Sequence, residues 1–214
     1  MWENDIDINE VKEIRVKTNV YFGIGAINTI DDILKNLKER NVAKVIVVSG
    51  RNAYKSTGAW DVIKKALEEN NVGYVNYDKV TPNPTVDHID EATQMAKDFG
   101  ATAVIGIGGG SPIDTAKSVA VLSKNPTYNA RDLYTFKFTP QVAAPIVAVN
   151  LTHGTGSEAN RFAVATVPET EFKPAIAYDC LYPFASIDDP KLMQGLSPKQ
   201  TLFVSIDAIN HAVE

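Results

Sequence analysis

One stretch restricts this chain more than any other: Ala103 to Val119, Ala-Val-Ile-Gly-Ile-Gly-Gly-Gly-Ser-Pro-Ile-Asp-Thr-Ala-Lys-Ser-Val. The run Ala103 to Ile107 is apolar without alternation, the pattern of a strand covered on both faces. Gly108, Gly109 and Gly110 follow, with no Cβ to hold another molecule away. Ser111 as N-cap, Pro112 at the first helical position and Asp114 early in the first turn then predict a helix. Free amides and the positive end of that helix would face the gap left by the glycines, which suits a phosphate or pyrophosphate. The spacing is neither the G-x-G-x-x-G fingerprint nor the G-K-[ST] ending of a P-loop. A tight strand-to-helix turn that binds nothing therefore stands beside the anion site as a reading.

Strands and helices alternate around this stretch. Glu13 to Thr18 alternates polar and apolar residues and predicts a strand with one covered face. Gly23 and Gly25 suggest a second close-approach turn, and Ile27, Ile30, Leu34 and Leu37 fall on one helical face before the buried strand Val45 to Val48. Trp60, Ile63 and Leu67 mark the next helix, and Val72 to Tyr77 the next strand. Val86, Ile89, Ala92, Ala96 and Phe99 form another helical stripe. Ala116, Val119, Ala120 and Leu122 continue the helix after the glycines, and Ile146 to Val149 supplies a further strand. The expected fold class is α/β, a doubly wound and mainly parallel sheet, because parallel connections need right-handed crossovers. Ligands of such sheets gather beyond the carboxyl ends of the strands, where Ser49 to Asn52, Tyr77 to Pro84, Gly108 to Ser111 and Asn150 to Ser157 converge.

The pattern changes past Ser157. Phe162 to Val167 and Ala175 to Tyr178 read as short strands around Pro168 to Pro174, a hairpin-like excursion near 161–178, and Phe184 to Ile187 as another short strand. Ser197 as N-cap and Pro198 at N1 start a helix that holds Leu202, Ile206, Ile209 and Ala212. The sequence stops inside this amphipathic helix without a C-cap, so a following helical region is expected to be absent from it.

Composition narrows the function classes. A net charge of −5 over 214 residues leaves no broad basic surface, which argues against nucleic acid as the principal partner. Cys180 is the only cysteine, which excludes an internal disulfide and fits a reducing compartment; its plain reading is a packed thiol. The start, Met1 to Asp7, lacks the features of a signal peptide, and no apolar run reaches membrane-spanning length, so a cytoplasmic protein is expected.

Asp207 and His211 stand at i and i+4 and share one face of the last helix. Such a pair can offer a divalent cation a carboxylate and an imidazole, and can equally be a local surface contact. His88 near a helix start reads as solvated. Leu151-Thr152-His153-Gly154-Thr155-Gly156-Ser157-Glu158 combines hydroxyls and glycines directly after a strand, suiting a ligand's phosphate, ribose or amide, or a polar loop that binds only itself.

Taken together these motifs are one pattern. Gly108-Gly109-Gly110-Ser111-Pro112-Ile113-Asp114-Thr115-Ala116-Lys117, Thr81-Pro82-Asn83-Pro84-Thr85, Gly154-Thr155-Gly156-Ser157-Glu158, Ile187-Asp188-Asp189-Pro190 and Asp207-Ala208-Ile209-Asn210-His211-Ala212-Val213-Glu214 occur in one order. The chain resembles the iron-containing, or group III, alcohol dehydrogenase family from about Tyr21 to its last residue. The resemblance implies a Rossmann-like dinucleotide-binding domain over 1–190, followed over 191–214 by the start of an all-helical metal-binding domain. It implies a pyrophosphate on Gly109, Gly110 and Ser111, with Asp114 supporting that loop and Asn83 facing the cofactor. Thr152 and Thr155 would lie along the nicotinamide and phosphate half, and Lys173 would reach the nicotinamide ribose. Asp207 and His211 match the first two metal ligands; the family's other two are histidines beyond the end of this sequence.

Asn150, Leu151 and His153 depart from the family's usual proline, threonine and small residue. After the Val45 strand the chain carries Ser49-Gly50-Arg51-Asn52 where NAD users tend to carry an acid. With Gly50 and Arg51 there, and no carboxylate to repel it, a 2′-phosphate should be accepted, so NADP is expected over NAD. The resulting expectation is an alcohol dehydrogenase that interconverts a primary alcohol and its aldehyde with Fe²⁺ or Zn²⁺. The alternatives are a polyol dehydrogenase of the glycerol type and a non-catalytic NADP-binding module. The N-terminal strand could pair with its counterpart in a second copy, so a homodimer is expected.

Overall fold

The computed structural model describes residues 12–15 and 17–213, and for 12–15 the backbone alone. Met1 to Asp7 and Val16 lie outside the described residues. A seven-stranded sheet runs through the molecule. Its strands are β1 (Lys12–Arg15), β2 (Asn19–Phe22), β3 (Lys44–Gly50), β4 (Gly73–Val80), β5 (Ala103–Gly108), β6 (Ile146–Asn150) and β9 (Ala185–Asp188), in the order β1-β2-β9-β6-β5-β3-β4. Only β1 is antiparallel, to β2; the other pairs are parallel. β7 (Phe162–Val164) and β8 (Ala175–Ala177) pair separately as the expected hairpin. The predicted strand over 13–18 is shorter at its end: the chain bends at Lys17 and Thr18 and returns as β2.

Both faces of the sheet are covered, which is why its central strands are apolar without alternation. Val45 and Val47 of β3 join a core with α1 (Ile30–Glu39) and α3 (Ala59–Glu69). Ile46 and Val48 point the other way, toward α4 (Val86–Phe99), α5 (Gly110–Lys124) and α6 (Ala130–Tyr134). Ile30, Leu34 and Leu37 of the predicted α1 stripe are buried, each worth about 1.5–3 kcal/mol of transfer free energy. The connection from β3, through α2 (Ala53–Ser56) and α3, leads to β4 on one side, while that from β5 leads to β6 on the other. The order therefore reverses between β3 and β5, and the crevice at their carboxyl ends is the position where such sheets hold ligands.

Two local expectations are corrected. The N-cap of α5 is Gly109, with extended φ −84° and ψ −158°, so the helix starts before Ser111 and Asp114 falls in its second turn. The glycines let the chain enter the helix early, and Pro112 still sits in the first turn, where its missing N–H breaks no helical bond. His88 is not merely solvated: its Nδ1 accepts a hydrogen bond from Thr85 N at 3.1 Å and closes the first turn of α4. Cys180 is a half-buried thiol against the Pro140 carbonyl.

Past β9 the chain becomes helical. Asp189 caps α7 (Pro190–Met193), and the Ser197 hydroxyl accepts from Gln200 N at 3.2 Å to start α8 (Pro198–Val213) as predicted. Only Val204 of α8 is buried; Leu202, Ile206 and Ile209 are all more than half exposed. Among the described residues no helix is long and apolar enough to cross a membrane.

Candidate functional site

The site grows from the turn between β5 and α5. No side chain caps the N-terminus of α5, so the amides of its first turn remain available to an anion. The glycines do not leave this space open on every side. A Cβ on Gly109 would lie 2.7 Å from Thr152 Oγ1, and one on Gly110 would lie 2.9 Å from Thr155 Cγ2. Their missing side chains thus admit the threonines of the next loop, which lean directly over the helix start. That loop is tied to the first by Leu151 N donating to the Gly108 carbonyl at 2.9 Å.

Asp114, one turn further into α5, reaches away from the glycines and toward this second loop. Its Oδ1 accepts from the Ser157 hydroxyl at 2.5 Å and its Oδ2 from Val164 N of β7 at 3.1 Å. Burial pushes its carboxyl up to about 6, against the pull of Ser157 and the Lys117 charge. Lys117 is entirely buried, and burial pulls its ammonium down to about 8 against the charges of Asp114 and Glu158. It donates to Ser157 Oγ, to the Asn160 carbonyl and Oδ1, and to the Phe162 carbonyl at 2.7–3.2 Å. Glu158 is pushed up to about 7, first by burial and then by the charge of Asp188. Asp188 is itself raised by burial and holds Asn150 Nδ2 at 2.9 Å and Ser186 Oγ at 2.7 Å. Asn150, a departure from the usual proline, in turn accepts from Thr152 N at 3.2 Å.

A cavity of about 710 Å³ opens over this floor. Gly110, Ser111, Asp114, Thr155, Lys173, Asp207 and His211 are among the residues that line it. Lys173 Nζ donates to Asn83 Oδ1 at 2.7 Å, bringing together two positions that sequence reasoning linked only through the cofactor. Asn83 holds this place with a left-handed φ of 55°. Gly109 and Thr152 are not among the residues that line the cavity. Gly50 ends β3 and Arg51 follows it, and Arg51 is exposed with no hydrogen bond or ion pair among the described residues.

Asp207 Oδ1 and His211 Nε2 are 3.7 Å apart, as the i,i+4 spacing predicts. α8 is seated on the second loop by close backbone approach: a Cβ on Gly154 would be 2.6 Å from the Val204 carbonyl and 3.1 Å from Asp207 Oδ2. His153 Nε2 and Ser205 Oγ, 3.0 Å apart, close the same contact. A carboxylate and an imidazole suit a first-row divalent ion. Among the described residues no group of three or more His, Cys, Asp or Glu is placed to hold a metal.

Sequence reasoning singled out Asp114 but not Lys117. The signal was present, because Lys117 is spaced at i+4 from Ile113 and i−3 from Ala120, inside a buried stripe where a lysine needs partners.

The profile of the family described as iron-containing alcohol dehydrogenase matches residues 17–190. This chain belongs to the iron-containing alcohol dehydrogenase family. The long-chain primary alcohol dehydrogenase AdhA of Thermoanaerobacter ethanolicus is 61% identical over all 214 residues, which correspond to 54% of that protein. The NADPH-dependent butanol dehydrogenase of Clostridium saccharobutylicum is 29% identical over 92% of this chain and 49% of its own length. The crystal structure of NADH-dependent butanol dehydrogenase A from Thermotoga maritima matches with a TM-score of 0.86 at 33% identity, over 96% of this chain and 51% of that one. The chain spans about half the length of the relatives it matches. Its doubly wound sheet matches the fold of that Thermotoga maritima structure over 96% of this chain.

Proposed function

We propose that this chain forms the dinucleotide-binding part of a metal-dependent alcohol dehydrogenase that prefers NADP and interconverts a primary alcohol and its aldehyde. One observation carries the reading: the uncapped start of α5 opens into the same cavity as Asp207 and His211. Amides at Gly109, Gly110 and Ser111 would hold the pyrophosphate, with the Thr152 and Thr155 hydroxyls beside it. Lys173 would leave Asn83 for the ribose at the nicotinamide end, and Asn83 would then face the cofactor. Asp207 and His211 would supply the first two metal donors. The chemistry supplied when both groups are bound is hydride transfer from the nicotinamide and Lewis acidity from a divalent ion, iron or zinc. The protein's part is to align the substrate carbon with the nicotinamide between the second loop and α8, and to exclude water there.

Arg51 supports NADP over NAD, as an unpaired cation on the loop after β3 with no acid beside it in the sequence. The relatives include one named for NADPH and one named for NADH, so the local residues have to decide. Fluorescence titration should show NADPH binding more tightly than NADH, and Arg51→Glu should reverse that order. Gly110→Asp should abolish binding of both, since the new carboxylate would occupy the anion's place and strike Thr155. Equal binding by Gly110→Asp would refute the loop assignment. Because the donor set is half complete, a nucleotide-binding module without turnover is the second reading. Alcohol oxidation assayed with added Fe²⁺ or Zn²⁺ separates the two, and primary alcohols tested against glycerol separate the first from a polyol dehydrogenase.

A further inference from the structure

A buried ammonium with four oxygen contacts on one short segment has more to do than fill space. Lys117 leaves the middle of α5 and reaches the strap that follows the second ligand loop: Ser157 Oγ at 3.1 Å, Asn160 O at 2.9 Å, Asn160 Oδ1 at 3.2 Å and Phe162 O at 2.7 Å. Asp114 closes the arrangement from the same helix through Ser157 and Val164 N. The strap connects two things that line the cavity. Upstream lies Thr155, whose methyl group lies 2.9 Å from where a Cβ on Gly110 would be. Downstream lies the β7–β8 hairpin, whose connection carries Lys173.

We propose that Lys117 is a positioning residue for the nicotinamide half of the dinucleotide: from behind the phosphate-binding turn it fixes the 155–162 strap, and so sets Thr155 and Lys173 at the distance that half requires. The inference rests on the dinucleotide reading above and adds to it the residue that couples the two loops. The physical basis is that a strap with little regular structure keeps its place only if its backbone oxygens are satisfied. Three of the four acceptors of Lys117 belong to Asn160 and Phe162, so the helix supplies what a sheet ladder would otherwise supply. The adenosine end lies elsewhere, on the loop after β3, and owes nothing to this strap. A purely structural lysine would change stability and leave the two ends of the cofactor bound in the same proportion.

The test uses the full chain at a temperature where circular dichroism shows each variant folded. Dissociation constants are measured for NADPH, by the emission of its reduced nicotinamide, and for adenosine 2′-phosphate, which carries no pyrophosphate, by displacement. Lys117→Met should raise the NADPH constant by about tenfold or more while leaving that for adenosine 2′-phosphate within about twofold, since small displacements of positioning groups have effects of this size. The NADPH that still binds should show a smaller enhancement of its emission at saturation than with the wild type. Asn160→Ala removes one acceptor, leaves the charge in place, and should show the same pattern more weakly if Lys117→Met does not fold. An unchanged ratio of the two constants in the folded variants would overturn the inference while the dinucleotide reading stood. Failure of the wild-type chain to bind NADPH or NADH would instead remove the reading beneath it.

Discussion

Asp189 Oδ2 accepts from Gly25 N at 3.0 Å and Ile27 N at 3.2 Å, and its Oδ1 accepts from Lys191 N at 3.0 Å. One short carboxylate thus anchors the turn after β2 and the start of α7, segments about 164 positions apart. Asp189→Ala should lower stability by about 2–4 kcal/mol, a lost cap plus orphaned buried donors, read from the urea midpoint. Gly154 is the second sensitive residue, because its φ of +129° is closed to a side chain and a Cβ would meet the Val204 carbonyl. Gly154→Ala should cost about 1–3 kcal/mol and shift α8, seen as a lower melting temperature. Asp114 adds a pH dependence. Its folded value is about 6 against an ordinary 3.8, so the folded chain holds this proton where the unfolded chain has lost it. The stabilising contribution is complete below about pH 4 and is lost as pH rises toward 6. Over that window the wild type should lose urea stability relative to Asp114→Asn. Asp114, Asp189 and Gly154 all stood out in the sequence, but the distant groups they touch did not, since Ser157, Gly25 and Val204 lie 40 or more positions from them.

At the scale of elements, periodicity served well wherever a face met the sheet. The stripes of α1, α3 and α4 follow 3.6-residue spacing because one side of each helix is covered and the other is wet. α8 shows the limit of that logic. Its spacing identifies Leu202, Ile206 and Ile209 as neighbours, yet only Val204 is buried, since a pattern tells which residues share a face and not what lies against it. Ile206→Lys and Ile209→Lys should each therefore leave the urea stability of this chain within about 0.5 kcal/mol of wild type. The start of α5 carries a similar lesson. Ser111 and Pro112 are sound start signals, but Gly109 takes the ordinary extended angles of an N-cap after Gly108 turns at a φ of 152°, and the helix begins at Gly110.

For the molecule as a whole, the order of strands places β1 outside β2 at one edge of the sheet. An edge with free backbone groups is a template for a second chain, and we expect a homodimer by sedimentation equilibrium; a monomer at micromolar concentration would reject it. What the sequence determined alone was the alternation of buried strands and one-sided helices, the hairpin excursion, the start of α8 and the i,i+4 pairing of Asp207 with His211. These are local consequences of hydrophobic spacing, capping and helix geometry, all carried within a dozen or so residues. What only the tertiary structure decided was which strands are neighbours, that Thr152 and Thr155 occupy the space spared by Gly109 and Gly110, that Lys173 meets Asn83, and that Lys117 holds a strap 40 and more positions away. Such contacts come from packing the whole chain around one sheet, where desolvated charges must find oxygens wherever the fold brings them.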